Sequence, residues 1–532
     1  MVYRGKPSSA CAWCRARRLK CDRKRPSCSS CVRARRTCTG YRDIVALSFQ
    51  DQTDEVIGKA RRRVDKQTVE PSPSPSSFIS DLSTVADDDT NDDDQVQPGP
   101  GPLMLQHIPA PTRDDGISFV LANHVATGPS AHAHLSFLPS LLQAVSNPAI
   151  TASVNAMGLA TLANIQRNPR LMLAARREYS TALSETNAAL CDQARATSDS
   201  TLAAVLLLGL FEIVTCDTPA LMARWANHID GAMKMVELRG AEQLRTPTGL
   251  GLFMQLRSQF VLSNIYRKKS TPTWLLELSQ DAVEQQDLQN GSMEQLFAYL
   301  TKTSDLCARI SVGTHDGPTA IIYEAMKMDA DLVAWALSVD PSWQYSRINI
   351  TPDSETDPLF SPIYGDYYHI YSNINSAVLW NTYRLTRIVV HEIIGAVCQR
   401  VCEISGGENA EHRAAIRRSE ELSLQMAEDI CASVPFVFRY SASVCPGLPQ
   451  ASGGIFRLHW ALFVAADCLG STPPLQAWIL DCLDQIGYNS GVQQALSMSK
   501  ILRSGMHLEW LTGDFKRLGA PAGQRDINQS LD

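Results

Sequence analysis

From about residue 110 onward, apolar residues recur three and four positions apart, the spacing that gathers them on one face of an α-helix. Leu171, Ala175, Ala182 and Leu183 make one such stripe, Trp225, Ile229, Ala232 and Val236 another, and the run from Ser200 to Ile213 is apolar almost throughout. Helix-breaking phrases fall between the stripes, at Asn168-Pro169, Asp217-Thr218-Pro219, Arg239-Gly240, Thr271-Pro272-Thr273 and Pro446-Gly447. The pattern predicts further helices at about 281–302, 318–338, 370–402, 409–432, 454–469, 474–486 and 490–503. Strand-like alternation is scarce. The fold class expected is therefore mainly α, with an all-helical domain of antiparallel hairpins over 105–520 and a short tail at 521–532. The longest apolar run, Leu202 to Phe211, is interrupted by Gly209 and is too short to span a bilayer, so a soluble protein with no membrane partner is expected.

The chain before this region changes character twice. Over 43–70, Val45, Phe49, Val56, Ala60 and Val64 give a loose helical stripe without sustained heptads, which argues against a strong coiled coil. That basic linker helix carries Lys59, Arg61, Arg62 and Arg63, a cluster suited to nuclear import or phosphate contact. Over 71–104 the composition turns to Pro, Ser and Asp, with Asp87-Asp88-Asp89 and Asp92-Asp93-Asp94, too poor in apolar surface to fold, so a disordered linker is expected. Phe78, Ile79, Leu82 and Val85 beside those acids would suit a small activation segment, and a plain spacer is the simpler reading.

Charge divides the chain sharply. Residues 1–42 hold thirteen lysines and arginines against one acid, Asp22, leaving 36 basic and 54 acidic residues for the remainder, so the net −6 of the whole conceals a strongly basic N-terminal end. Such an end favours a polyanionic partner.

Within that end lie six cysteines, Cys11, Cys14, Cys21, Cys28, Cys31 and Cys38, spaced C-x2-C-x6-C-x6-C-x2-C-x6-C. An offset of 17 maps the first three onto the last three, and each half has basic residues between its second and third cysteines. Two tetrahedral zinc ions need eight ligand positions, so six thiolates suffice when two of them bridge. The x6 spacing corresponds to about two helical turns before the chain returns to the metal. A segment this small cannot bury an adequate core, and metal binding would supply its folding energy. A disulfide-rich secreted module is disfavoured because the opening residues Met1 to Lys6 lack the apolar stretch of a signal peptide. A metal-storing or redox-sensing thiolate protein would use the cysteines but leave the arginines without a purpose.

The spacing, the stretch from Arg15 to Lys20 and Pro26 between the halves resemble the fungal-type Zn(2)-C6 binuclear zinc-cluster transcription factors. The resemblance implies two zinc ions, with Cys11 and Cys28 as bridging ligands. It also implies a nuclear protein that binds double-stranded DNA at CGG-type half-sites, with Arg18 and then Arg17 at base edges, Lys20 and Arg15 on phosphates, and Arg33, Arg35 and Arg36 of the second half as further DNA contacts. Phrases farther along resemble the fungal-specific regulatory domain of the same family: Gly40 to Asp43 with Phe49 to Thr53, Leu206 to Glu212, Trp225 to Ala232, and Trp380 to Arg384. By that resemblance the chain is a sequence-specific regulator of RNA polymerase II genes, working with the transcription machinery and as a homodimer, and a pathway-specific regulator of a secondary-metabolite gene cluster.

Catalysis finds no support in the sequence. His391-Glu392 begins like a zincin helix, but Gly395 stands where the second histidine is needed. Neither a G-x-S-x-G elbow nor a Walker loop is present. His228 reads as a hydrogen-bonded packing histidine, and the nine cysteines outside the cluster read as buried thiols, Cys398 and Cys402 being at most half a metal site. The chain is expected not to be an enzyme. Beside DNA reading stand two rivals, a zinc or redox sensor without sequence-specific DNA reading and, more remotely, an RNA-binding zinc protein, for which Trp13 is the cluster's sole aromatic.

Overall fold

The structure, a computed structural model, describes residues 10–38 (except 18, 23, 25 and 26), 113–125, 134–143, 147–218, 222–284, 291–313, 317–350, 363–405, 410–444, 454–468 and 470–505. The linker helix over 43–70, the import cluster Lys59 and Arg61 to Arg63, the Pro/Ser/Asp segment and the tail at 521–532 lie outside these residues. Arg18 does too.

The N-terminal unit contains two five-residue helices, α1 (Ala12–Ala16) and α2 (Ser29–Arg33). Their bounds differ by 17, the offset read in the cysteines. Each is about one and a half turns long, shorter than the two turns expected from x6, and α1 ends at Ala16.

The C-terminal region is helical throughout most of its described length. Its first part comprises α3 (Arg113–His124), α4 (Leu138–Gln143), α5 (Pro148–Ile165), α6 (Pro169–Cys191), α7 (Asp199–Thr215), α8 (Met222–Arg239), α9 (Pro247–Arg267), α10 (Thr273–Glu284), α11 (Gly291–Val312) and α12 (Pro318–Ser338). A two-stranded hairpin, β1 (Tyr345–Asn349) with β2 (Tyr367–Tyr371), leads to α13 (Ile374–Ser405), α14 (Ala410–Val444), α15 (Ile455–Ala466), α16 (Pro473–Asn489) and α17 (Gln493–Arg503).

Local chemistry sets many of these boundaries. The Asn168-Pro169 phrase opens α6: Asn168 accepts from the Arg170 and Leu171 amides, and Pro169 at the first helical position lacks only an N–H that would be unpaired anyway. Asn147-Pro148 and Thr246-Pro247 open α5 and α9 in the same way, and Ser198 caps α7. Gly240, with φ of 59°, ends α8 at the predicted Arg239-Gly240 break.

Helices α5 and α7 form the centre. Every residue of α7 from Thr201 to Val214 is buried, as expected of a helix that is apolar all round, and α5 and α6 both pack against it, Tyr179 of α6 stacking on Phe211. Asn164 near the end of α5 donates to the carbonyls of Val214 and Gly491, 2.8 Å each, joining α5 to the end of α7 and to the turn before α17. Where α3 crosses α5 the backbones nearly touch: a Cβ on Gly158 would lie 2.0 Å from the Gly116 carbonyl oxygen.

Two segments depart from the sequence reading. The helix expected over 281–302 falls on the end of α10 and the start of α11, and residues 285–290 between them lie outside the described ones. The helix expected from 370 starts at Ile374 instead, since Tyr367 to Tyr371 pairs antiparallel with β1, Tyr345 facing Tyr371 and Asn349 facing Tyr367. Arg384 of α13 anchors this hairpin from inside the core, donating to Tyr371 Oη at 2.7 Å and Asn381 Oδ1 at 2.9 Å, with its guanidinium 4.9 Å from the Tyr345 ring centre. Among the described residues, no helix is long and apolar enough to cross a membrane.

Candidate metal centre and nucleic-acid interface

The six N-terminal cysteines converge into two groups of four: Cys11, Cys14, Cys21 and Cys28, and Cys11, Cys28, Cys31 and Cys38. Cys11 and Cys28 belong to both. Within each group the sulfurs lie within 4.8 Å of one another. The Cys11–Cys28 distance is 3.8 Å, and Cys11–Cys31 and Cys14–Cys28 are each 3.6 Å. Four sulfurs at about 2.3 Å from one tetrahedral zinc would stand about 3.8 Å apart, so the spacing fits the ion.

Backbone hydrogen bonds repeat with the same offset. The amides of Cys14 and Cys31 point at the sulfurs of Cys11 and Cys28, 3.5 and 3.4 Å away. Leu19 donates to the Cys14 carbonyl, and Arg36, 17 residues on, donates to that of Cys31. Arg35 leaves α2 in the left-handed conformation, φ 47°. Across the halves, Asp22 accepts from the Ser29 hydroxyl and from the Ser29 amide at 2.9 Å, the hydroxyl first and then the amide holding its carboxyl below the usual range, and Ser30 donates to the Lys20 carbonyl at 3.0 Å.

The donor set is one that asks for a cation. Cys11, Cys14, Cys28 and Cys31 are fully buried, with Ala10, Trp13, Cys21 and Cys38 packed on them. Burial, followed by hydrogen bonds among the neighbouring thiols, pushes Cys14 up to about 12 and moves Cys31 upward as well. Thiols so crowded ionise when a metal takes the place of their protons. A bound zinc would supply charge neutralisation and cross-linking here and would leave no sulfur position for water, the closed arrangement of a structural site.

Around the sulfurs the surface is basic. Arg17, Lys20, Lys24, Arg33, Arg35 and Arg36 are exposed. Arg17 rests its guanidinium 5.5 Å from the centre of the Trp13 ring, a contact that holds one cation beside α1. Arg15 lies on α1.

Residues 9–46 match the family model described as the fungal Zn(2)-Cys(6) binuclear cluster domain, and residues 132–343 match the fungal specific transcription factor domain. The chain carries both domains. A binuclear cluster domain binds two zinc ions, which is the cofactor that the cysteine geometry fits. The same part of the chain is similar to White-opaque regulator 2 of Candida albicans (strain SC5314 / ATCC MYA-2876), 37% identical over 46 residues, which make up 9% of this chain and 10% of that protein. No solved structure matches the chain.

Outside the binuclear cluster domain, other chemistry-bearing residues take packing roles. Neither matched family is an enzyme family. Among the described residues, no further set of His, Cys, Asp and Glu comes together at metal-binding distance; Cys398 is buried and pushed up to about 11 by that burial. His228 packs between α8 and α7, its Cβ 3.3 Å from where a Cβ on Gly209 would be, and burial lowers it to about 4, so it is neutral. No side-chain hydrogen bond is made by His228 among the described residues, which corrects the expectation of a hydrogen-bonded one. His391 does not open a zincin site: its Nε2 lies 3.2 Å from Asp329, its Nδ1 3.2 Å from the buried Ser419 hydroxyl, and Arg387 clasps both oxygens of Asp329 at 2.6 and 3.1 Å. That network joins α12, α13 and α14. The Asp22–Ser29 tie went unread in the sequence, because Asp22 lies seven positions before Ser29, outside the reach of a local cap, while the cap position itself is held by Cys28.

Proposed function

We propose that this chain is a nuclear, sequence-specific DNA-binding transcription regulator whose reading head is the zinc cluster. The observation that carries the reading is the pair of four-sulfur groups sharing Cys11 and Cys28, ringed by exposed Arg17, Lys20, Arg33, Arg35 and Arg36. In this reading Cys11 and Cys28 bridge two zinc ions, each held also by two of Cys14, Cys21, Cys31 and Cys38. Arg18 reads guanine in CGG-type half-sites with Arg17 beside it, since an arginine can donate twice to guanine O6 and N7. Lys20, Arg15, Arg33, Arg35 and Arg36 neutralise phosphates.

The targets are RNA polymerase II genes, and the helical domain, acting through the transcription machinery, regulates what the cluster binds. Its resemblance to regulators of biosynthetic clusters supports a secondary-metabolite pathway, and Lys59 with Arg61 to Arg63 serve nuclear import. Support for a homodimer comes from α12, where Tyr323, Met326, Ala330, Val333 and Leu337 are exposed at alternating spacings of three and four, the seam of a helix pair.

The test is a set of titrations on a CGG-containing duplex and a scrambled duplex at two salt concentrations. Arg18→Ala should cost about 1–3 kcal/mol on the CGG duplex alone, whereas Arg33→Ala and Arg36→Ala should weaken both duplexes and lower the salt slope by about one. If the unaltered chain shows no preference for CGG over the scrambled duplex, or prefers single-stranded RNA in competition, the reading is wrong.

A further inference from the structure

The helical domain contains a cavity of about 110 Å³ bordered by α7, α8, α9, α11, α13, α14 and α15. Its walls are mostly apolar, with Leu296, Leu385, Val437 and Phe456 among them, and Trp225 and Trp460 stand on one side with ring centres 6.2 Å apart. An apolar cavity of about 150 Å³ takes up benzene, so the space is on the scale of one ring or a short aliphatic chain.

Its polar groups are one-sided. Arg257 is 1% exposed, gives Nη2 to Glu294, and lies with its guanidinium 4.2 Å from the Phe297 ring centre; its Nε and Nη1 have no hydrogen-bond partner among the described residues. His134 is also buried. The Gln255 side chain accepts from the Leu135 amide and donates to His134 Nδ1 at 3.0 Å, which leaves the proton of the neutral ring on Nε2, and Nε2 too lacks a partner among the described residues. Every orphaned buried polar atom on the cavity wall is thus a donor.

Charge is unbalanced in the same sense. Arg257 is matched by Glu294, but Arg457 at the start of α15, also on the wall, has no ion pair among the described residues, and none of the wall residues is acidic. Burial pulls Arg457 down to about 10, and its charge, after burial itself, helps hold His134 neutral. Arg457 is half-buried, and water on the donors would leave its charge without a counter-ion at the edge of the apolar wall, where an unpaired charge costs free energy.

We infer that this cavity is a binding site for a small apolar monocarboxylate, whose body packs against the aromatic and aliphatic wall while its carboxylate meets Arg457, Arg257 and His134. One negative charge restores neutrality, and two oxygens supply acceptors to donors that the protein leaves unmet. The size limit and the single excess charge exclude nucleotides and dicarboxylates. The site does not depend on the DNA-reading proposal, and its test uses no DNA.

The experiment titrates the full chain with benzoate, phenylacetate and hexanoate, each beside its primary amide, and follows calorimetric heat and tryptophan fluorescence. At least one carboxylate should bind saturably and at least about tenfold more tightly than its amide, because a hydrogen bond to a charged partner is worth that factor or more. Arg457→Gln, checked for unchanged helicity by circular dichroism, should remove the preference for the acid over the amide. Three carboxylates that bind no better than their amides would overturn the assignment, without recourse to any variant. So would an Arg457→Gln chain of native helicity that keeps the preference.

Discussion

Alanine at Cys28 is expected to strip the N-terminal unit of both metal ions, whereas alanine at Cys38 is expected to strip it of one. Cys28 belongs to both four-sulfur groups and Cys38 to one. Cys28→Ala therefore leaves two sets of three sulfurs, while Cys38→Ala leaves Cys11, Cys14, Cys21 and Cys28 complete. The unit has little else to hold it. Among the described residues its fully buried side chains are four cysteines, and removing a side chain of that size from water yields on the order of 1 kcal/mol. A structural zinc in a small domain contributes about 10–16 kcal/mol, so the metal terms dominate the stability of residues 10–38. The assay is zinc content per chain by mass spectrometry after dialysis, with limited proteolysis reporting whether the unit is folded. Two zinc ions are expected for the unaltered chain, one for Cys38→Ala and none for Cys28→Ala, whose N-terminal unit should be cut rapidly. Equal zinc contents in the two variants would refute the shared-ligand geometry.

Chelation of zinc from the full chain should leave its far-ultraviolet circular dichroism strongly helical, since α3 to α17 are held by apolar burial that involves none of the six cysteines; a collapse of the helical signal would contradict this. Gly158→Ala should destabilise the helical domain by roughly 1–3 kcal/mol in thermal or urea unfolding, because its Cβ would meet the Gly116 carbonyl at 2.0 Å and the α3–α5 crossing must open. Burial alone would raise Asp329, but hydrogen bonds from His391 and Arg387 hold it at about 2, below the 3.8 of a free carboxyl. Its contribution, about 1 kcal/mol after allowance for partial exposure, is present above pH about 4 and is lost as pH falls through about 2. Asp329→Asn should therefore lower the thermal midpoint at neutral pH and shrink the acid-induced loss of stability, as read by unfolding curves between pH 5 and 2.

Some of this protein is written locally and can be read without a fold. The cysteine spacing specifies two equivalent halves because each C-x2-C pair meets its metal through one short turn, and the structure repeats helix bounds and hydrogen bonds at the same offset of 17. Helix starts at Asn168-Pro169 and ends at Arg239-Gly240 are legible because a cap acts within a few residues of itself. The Ser200 to Ile213 run, buried from Thr201 on, announces a central helix by being apolar on nearly all faces. Less legible is the strand Tyr367 to Tyr371, whose five residues would suit a helix start as well and become a strand because β1 and the Arg384 side chain receive them.

Other features exist only once distant segments meet. Which two cysteines are shared does not follow from counting six thiols, since the count fixes the number of bridges and not their identity; the fold decides it by placing Cys11 and Cys28 in both four-sulfur groups. Asp329, Arg387, His391 and Ser419 look like scattered polar residues until α12, α13 and α14 pack and give each charge its partner. The cavity is the extreme case. Arg257 and Arg457 are 200 positions apart and sit in unremarkable helical patterns, and hydrophobic periodicity says which face of a helix turns inward but not which donors will line one cavity there. A donor's partner is set by separations of about 3 Å in space, so whether a buried arginine is matched or waiting is decided by tertiary packing alone.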